Sequence, residues 1–147
     1  MRGLLIRIGI IAVIVVGAIV LRDRLSGSAG DLRVGDCFDP PASIETVEDV
    51  QHQPCTEPHA AEIIFVGDHP DSDAYPSIDA FDAFVFERCV PAFESYTGRD
   101  WETDTELDMA YLYPTDEGWP QGDHEVACYV ERLDLSKMNA SVKAAAD

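Results

Sequence analysis

An α+β fold is expected for this chain: a small antiparallel sheet with a helix packed on one face, two disulfides, and a transmembrane helix in front. Three observations carry it. An apolar run opens the chain. Four cysteines follow it, spread over fewer than 120 residues. The segments between them switch from period-two to helical apolar spacing and back. The 147 residues fit one domain with small additions. Residues 31–147 hold six bases against 27 acids, a formal −21. Such a field repels nucleic acid and anionic headgroups and favours cations and basic partners.

The apolar run is "LLIRIGIIAVIVVGAIVL", Leu4 to Leu21. As a helix its 18 residues span ~27 Å, close to the ~30 Å hydrocarbon core. Arg7 near one end can snorkel to the interface. In lipid the β-branched residues cost little, because backbone bonds close internally. Residues 1–25 are therefore read as an anchor that inserts residues 4–21 into the bilayer. Gly27 and Ala29 make a cut after Ala29 conceivable. The run exceeds an ordinary signal core, however, and Arg22 and Arg24 separate it from that site, so the anchor is read as retained. Two arginines flank each side; the N-terminal amine tips the balance toward a cytoplasmic N-terminus and an extracytoplasmic domain.

Residues 26–31, beginning "SGSAG", read as a flexible linker, residues 32–134 as the domain and residues 135–147 as a frayed or weakly helical tail. "LRVGDCFD" opens the domain, with Leu32 and Val34 alternating before a turn or bulge at Gly35. "IETVEDVQ" from Ile44 is a second strand in imperfect register, with Ile44, Val47 and Val50 apolar. "AEIIFVGDH" from Ala61 is a third; its apolar run Ile63–Val66 suits a central strand. Ser77 caps a helix whose stripe is Ile78, Phe81, Val85, Cys89 and Phe93. Pro91 should kink or restart it, and Gly98 ends it. Leu107, Met109, Tyr111 and Tyr113 alternate along a fourth strand. "EVACYVERL" is a fifth, with Val126, Cys128 and Val130 facing one way.

Cys37, Cys55, Cys89 and Cys128 contain no C-x-x-C pair, which weakens a zinc or thioredoxin reading. An even count in a small exported domain reads as disulfides. Three pairings are possible. The strand reading favours Cys37–Cys55, and Cys89–Cys128 because a helix-stripe cysteine would face a sheet cysteine beneath it. The two loops would contribute about 3 and about 4 kcal/mol.

"GDCF" at 35–38, "PCTEPHAAEI" at 54–63, "YPS" at 75–77, Cys89, "YLYPTDEGWPQGD" at 111–123 and "VACYV" at 126–130 recur in this order. Over roughly residues 32–131 the chain resembles the septum formation family of bacterial, mostly actinobacterial, envelope proteins with an N-terminal transmembrane segment. The resemblance implies an extracytoplasmic role in cell division or envelope upkeep, and no enzymatic activity carries over.

In "PCTEPHAAEI", Cys55 and His59 would need two further ligands to hold zinc, and nothing fixes His52, His69 or His124 beside them. A bridged Cys55 cannot act as a nucleophile. Pro54, Pro58 and His59 are instead read as a structural turn around the bridge, the imidazole bonding a nearby carboxylate or backbone group. Asp68, Asp71 and Asp73 lack the spacing of a calcium loop. Trp101 and Asp104, within the acidic "DWETDTELD", and Trp119 are candidate partner-binding residues. No common hydrolase motif is present, and the acids are too many to single out a catalytic pair. The expectation is a non-enzymatic, single-pass anchored interaction or scaffold domain without cofactor or metal. Its partners would be other membrane or envelope proteins, with a basic surface, and not nucleic acid. An envelope enzyme acting on wall or lipid precursors and a cation- or ligand-binding sensor are the alternatives.

Overall fold

The computed structural model describes residues 26–28, 31–40, 49–71 and 73–145. The anchor over residues 1–25 lies outside the described residues, as do Ile44 and Val47 of the second expected strand. The elements in chain order are β1 (Ser26–Ser28), β2 (Cys37–Asp39), β3 (Asp49–Gln53), β4 (Ala61–Asp68), α1 (Ile78–Thr97), β5 (Leu107–Leu112) and β6 (Glu125–Arg132), with a 3-10 turn at Trp119–Gln121. They form one sheet, ordered β1-β3-β2-β4-β6-β5, in which every pair is antiparallel. The five strands β2–β6 are the sheet anticipated from sequence. The sixth, β1, lies within the segment read as a linker and pairs with β3, Ser26 opposite Gln51 and Ser28 opposite Asp49.

The longest ladder of the sheet is β4–β6, running from Ala61 opposite Glu131 to Asp68 opposite Glu125. Alternation along β6 sorts its side chains to two faces. Val126, Cys128 and Val130 join Ile64, Phe81, Phe84, Val85, Cys89 and Phe93 in the core beneath α1. Ala127 and Tyr129 belong to a second apolar cluster with Leu32, Phe38, Val50, Ala61 and Ile63. The sheet therefore buries side chains on both faces, where the sequence reading had covered one. The fully buried Phe38, Phe81 and Phe93 each contribute roughly 2–3 kcal/mol by removal from water.

Helix α1 starts where Ser77, in extended backbone, accepts the Ala80 amide on its Oγ at 3.3 Å. It stops at Gly98, which takes φ 69° and returns its N–H to the Glu94 carbonyl at 2.9 Å. Pro91 neither ends nor restarts it; the helix runs through to Thr97, with Pro91 lacking the amide that would reach back one turn. Of the expected stripe, Phe81, Val85, Cys89 and Phe93 are buried, and Phe84 joins them. Ile78 is the exception, at 55 % exposed. Tyr75 and Tyr113 pack on Phe81 instead, at ring distances of 5.6 and 5.0 Å, and fill that end of the layer.

Both disulfides of the favoured pairing are present. Cys37–Cys55 closes 18 residues and ties β2 to the turn before β4; Cys89–Cys128 closes 39 and ties α1 to β6. Over its described residues, 135–145, the tail is neither frayed nor helical. Met138 forms a two-bond bridge with His59 (2.9 and 2.8 Å), and the Ala144 amide reaches the Tyr96 carbonyl at 2.8 Å. Among the described residues no helix is long and apolar enough to cross a membrane.

Candidate functional site

The stretch "PCTEPHAAEI" holds a turn closed by a backbone bond. The Glu57 amide donates to the Pro54 carbonyl at 2.8 Å, which closes the turn beside the Cys37–Cys55 bridge, while Pro58 stays exposed. His59 is fully buried, and its Nδ1–H donates to the Glu57 carbonyl at 2.8 Å. The ring partner is thus backbone, one of the two possibilities read from sequence. Cys37, Cys55 and Glu62 bring ligand-type atoms within 4.8 Å of one another. Both sulfurs are bonded to each other, so this group offers a metal one carboxylate and no thiolate.

Glu62 is the residue that sequence reasoning missed. It is fully buried on β4 and accepts three hydrogen bonds, from Tyr96 Oη at 2.5 Å, Ser141 Oγ at 2.5 Å and the Val142 amide at 2.8 Å. Burial, and then the bond to Glu62, pushes the Tyr96 phenol up to about 12. The signal was present in the sequence as a lone acid between Ala61 and Ile63 in an apolar strand. Its donors come from the end of α1 and from the tail, which explains why the tail is docked.

The three residues read as partner-binding do not form one exposed patch. Trp119 is 3 % exposed and lies among His69, Tyr75, Phe81 and His124, so it is a core side chain and no contact anchor. Its buried indole N–H has no hydrogen-bond partner among the described residues. Trp101 is partly buried against the core beneath α1. Asp104 is committed locally: it accepts the Glu106 and Leu107 amides at 2.8 and 2.9 Å and pairs with Arg99 at 2.9 Å. Burial pushes its carboxyl up, but those two amides and the Arg99 guanidinium outweigh burial and hold it below the usual range. Asp68, Asp71 and Asp73 are exposed, and the described residues bring no cluster of their oxygens together.

An exposed aromatic and acidic surface lies elsewhere, around the start of α1. Ile78, Asp82 and Phe86 follow one another at spacings of four and share a side of the helix, with Asp79 beside them. Phe86 is 60 % exposed. Tyr111 donates from Oη to Asp82 Oδ1 at 2.6 Å, which ties β5 to this stripe. Tyr113 continues from Tyr111 at a ring distance of 5.6 Å, and it and Tyr75 are 47 % and 40 % exposed. Tyr75 is fixed by a 2.9 Å bond from its Oη to the Pro114 carbonyl. Burial first, then Tyr113 and Asp116 nearby, raises its phenol. The sequence hid this surface because Ile78 fits the buried stripe by spacing, and Phe86 was not singled out.

Fold and site together define a disulfide-bridged α+β domain with a docked tail and an exposed aromatic–acidic face. A family model described as septum formation matches residues 31–146, and the chain belongs to that family, which relates it to cell division. No curated protein and no solved structure matches it.

Proposed function

We propose that this chain is a single-pass, membrane-anchored protein of the cell envelope whose extracytoplasmic domain holds another envelope protein in an assembly for cell division. The observation that carries the reading is the exposed face of Phe86, Tyr113 and Tyr75 on a fold whose core is already filled. Large apolar side chains grouped on a surface point to contact with a partner. The apolar run Leu4–Leu21 supports the anchor, and two disulfides support an oxidising space beyond the membrane.

The alternative, an enzyme acting on anionic wall or lipid precursors, draws on a cavity of about 480 Å³ bordered by Arg99, Arg132 and Lys137. Each of these cations is already paired, with Asp104 and Glu106, with Asp134, and with Asp39 respectively. An anionic substrate would have to displace a carboxylate, which favours the scaffold reading.

The test uses the intact tagged chain, imaged in dividing cells and then recovered from gently solubilised membranes. The expected result is enrichment at the division site and a reproducible co-purifying envelope protein. Uniform distribution with no reproducible partner overturns the proposal.

A further inference from the structure

We infer that the face built by Ile78, Asp82, Phe86, Tyr111, Tyr113 and Tyr75 is a docking surface for an extended protein segment in which arginine or lysine alternates with apolar residues. The inference rests on the scaffold reading and names the chemistry of its partner. Two features of the face select that chemistry together. The helix stripe alternates apolar and acidic groups, Ile78, Asp82 and Phe86, so a segment seated on it meets a carboxylate between two apolar contacts. Beside the stripe the phenol rings of Tyr111 and Tyr113 stand 5.6 Å apart, and Tyr113 lies over Phe81 at 5.0 Å. Fixed rings of this kind present π-faces to a guanidinium or ammonium, and acids close by strengthen the attraction.

Charge complementarity decides the occupant. Asp79 and Asp82 are on the helix, and the charge of Asp116 acts on Tyr75. Arg99, Arg132 and Lys137 border the cavity at the other end of the helix, Lys143 sits over Tyr96, 5.7 Å from its ring centre, and Arg88, on α1 itself, lies 3.9 Å from the carboxylate of its neighbour Glu87. A second copy of the domain would bring another −21 against this face, and an anionic lipid surface or a nucleic acid would be repelled in the same way. A cationic segment gains from both the rings and the acids. Tyr111 is already held by Asp82 at 2.6 Å and Tyr75 by the Pro114 carbonyl, so little side-chain freedom is lost on docking.

The experiment titrates the full chain, in a non-ionic detergent, into a fluorescein-labelled peptide of about ten residues alternating arginine and proline. That length spans ~30 Å in an extended conformation that does not self-associate. The control peptide has glutamate for arginine. Phe86→Ser and Asp82→Asn are each expected to weaken binding at least about fivefold. Glu87→Gln and Glu102→Gln make the same charge change as Asp82→Asn at exposed positions outside the face, and are expected to stay within about twofold. Thermal melts confirm that each variant is folded; if Phe86→Ser fails to fold, Tyr113→Ser takes its place. The inference is overturned if the arginine peptide does not bind. It is equally overturned if Phe86→Ser binds as the parent does, or if all three charge variants weaken binding alike, which is diffuse attraction to a polyacid. Co-purification run in parallel separates the two levels. Partners retained by Phe86→Ser remove this face and leave the scaffold reading, whereas a parent chain without partners removes the scaffold reading itself.

Discussion

Glu62 shows how one polar residue inside a sheet can organise three parts of a chain. A buried carboxyl is costly unless its oxygens are met by donors. Here a phenol, a hydroxyl and an amide meet them, from residues 34 to 80 positions away. Replacing the group by an amide keeps the shape but turns one acceptor into a donor that faces other donors. Glu62→Gln is therefore expected to lose about 2 kcal/mol in urea unfolding of the oxidised protein, and Ser141→Ala about 1 kcal/mol, with unchanged slopes. A loss below about 0.5 kcal/mol for Glu62→Gln would mean that the tail is held by other contacts. His59 acts at the same scale by a different route. Its Nδ1–H bond to Glu57 fixes the turn, while its backbone receives Met138, so one residue joins the disulfide-closed turn to the docked tail.

At the scale of elements, α1 and its two neighbours in the sheet depend on caps and staples as much as on apolar area. Gly98 holds φ 69°, a conformation in which a side chain is strained, and its amide closes the last turn on Glu94. Gly98→Ala is expected to cost about 1 kcal/mol, and Ser77→Ala at the other end a similar amount. Both are read from thermal melts, and no change at Gly98 would contradict the cap. These elements were legible because their signals are local: the Ser77 and Gly98 punctuation, the period-two spacing of Leu107, Met109 and Tyr111 on β5 and of Val126, Cys128 and Val130 on β6, and the spacing that set Cys89 over Cys128. The second expected strand can be followed only at Val50, which falls in β3, because Ile44 and Val47 lie outside the described residues. The tail was not legible. What docks it is a backbone bridge at Met138 and polar bonds from Ser141 and Val142, and neither leaves an apolar period in a sequence. Tryptophans present the same limit in reverse: Trp119 reads alike as anchor or core, and only the ring of His69, Tyr75 and His124 around it decides.

Across the whole molecule, bases are few and gather at one place: Arg99 lies just beyond the C-terminal end of α1, with Arg132 and Lys137 on the same cavity, while Asp79 stands in the first turn of α1, where the helix dipole favours an acid. The excess of acid still makes stability depend on pH, and two opposed groups of carboxyls define the profile. Glu125 and Glu131 are held above the usual carboxylate range, first by burial and then by neighbouring acids, Asp68 among those around Glu125 and Asp108 beside Glu131. A carboxyl with a raised folded value takes up its proton more readily in the folded state. Its penalty is therefore relieved as pH falls through that value, and the relief is complete below the ordinary value of 4.5. Asp39 and Asp104 act in the opposite sense. Burial raises both, but Lys137, Gln53 and the Ala60 amide outweigh it at Asp39, as two amides and Arg99 do at Asp104, so both end lowered from 3.8. The stability they contribute is present above 3.8 and is lost as pH falls through their folded values. The melting temperature of the oxidised protein is thus expected to rise on going from about pH 7 to about pH 5 and to fall steeply below about pH 3.8. Relief of self-repulsion among 28 acids and 10 bases adds to the first limb and should shrink in high salt, whereas the second limb, set by partnered groups, should persist. A melting temperature that falls steadily from neutral pH downward would show that partnered aspartates, and not crowded glutamates, govern the domain throughout.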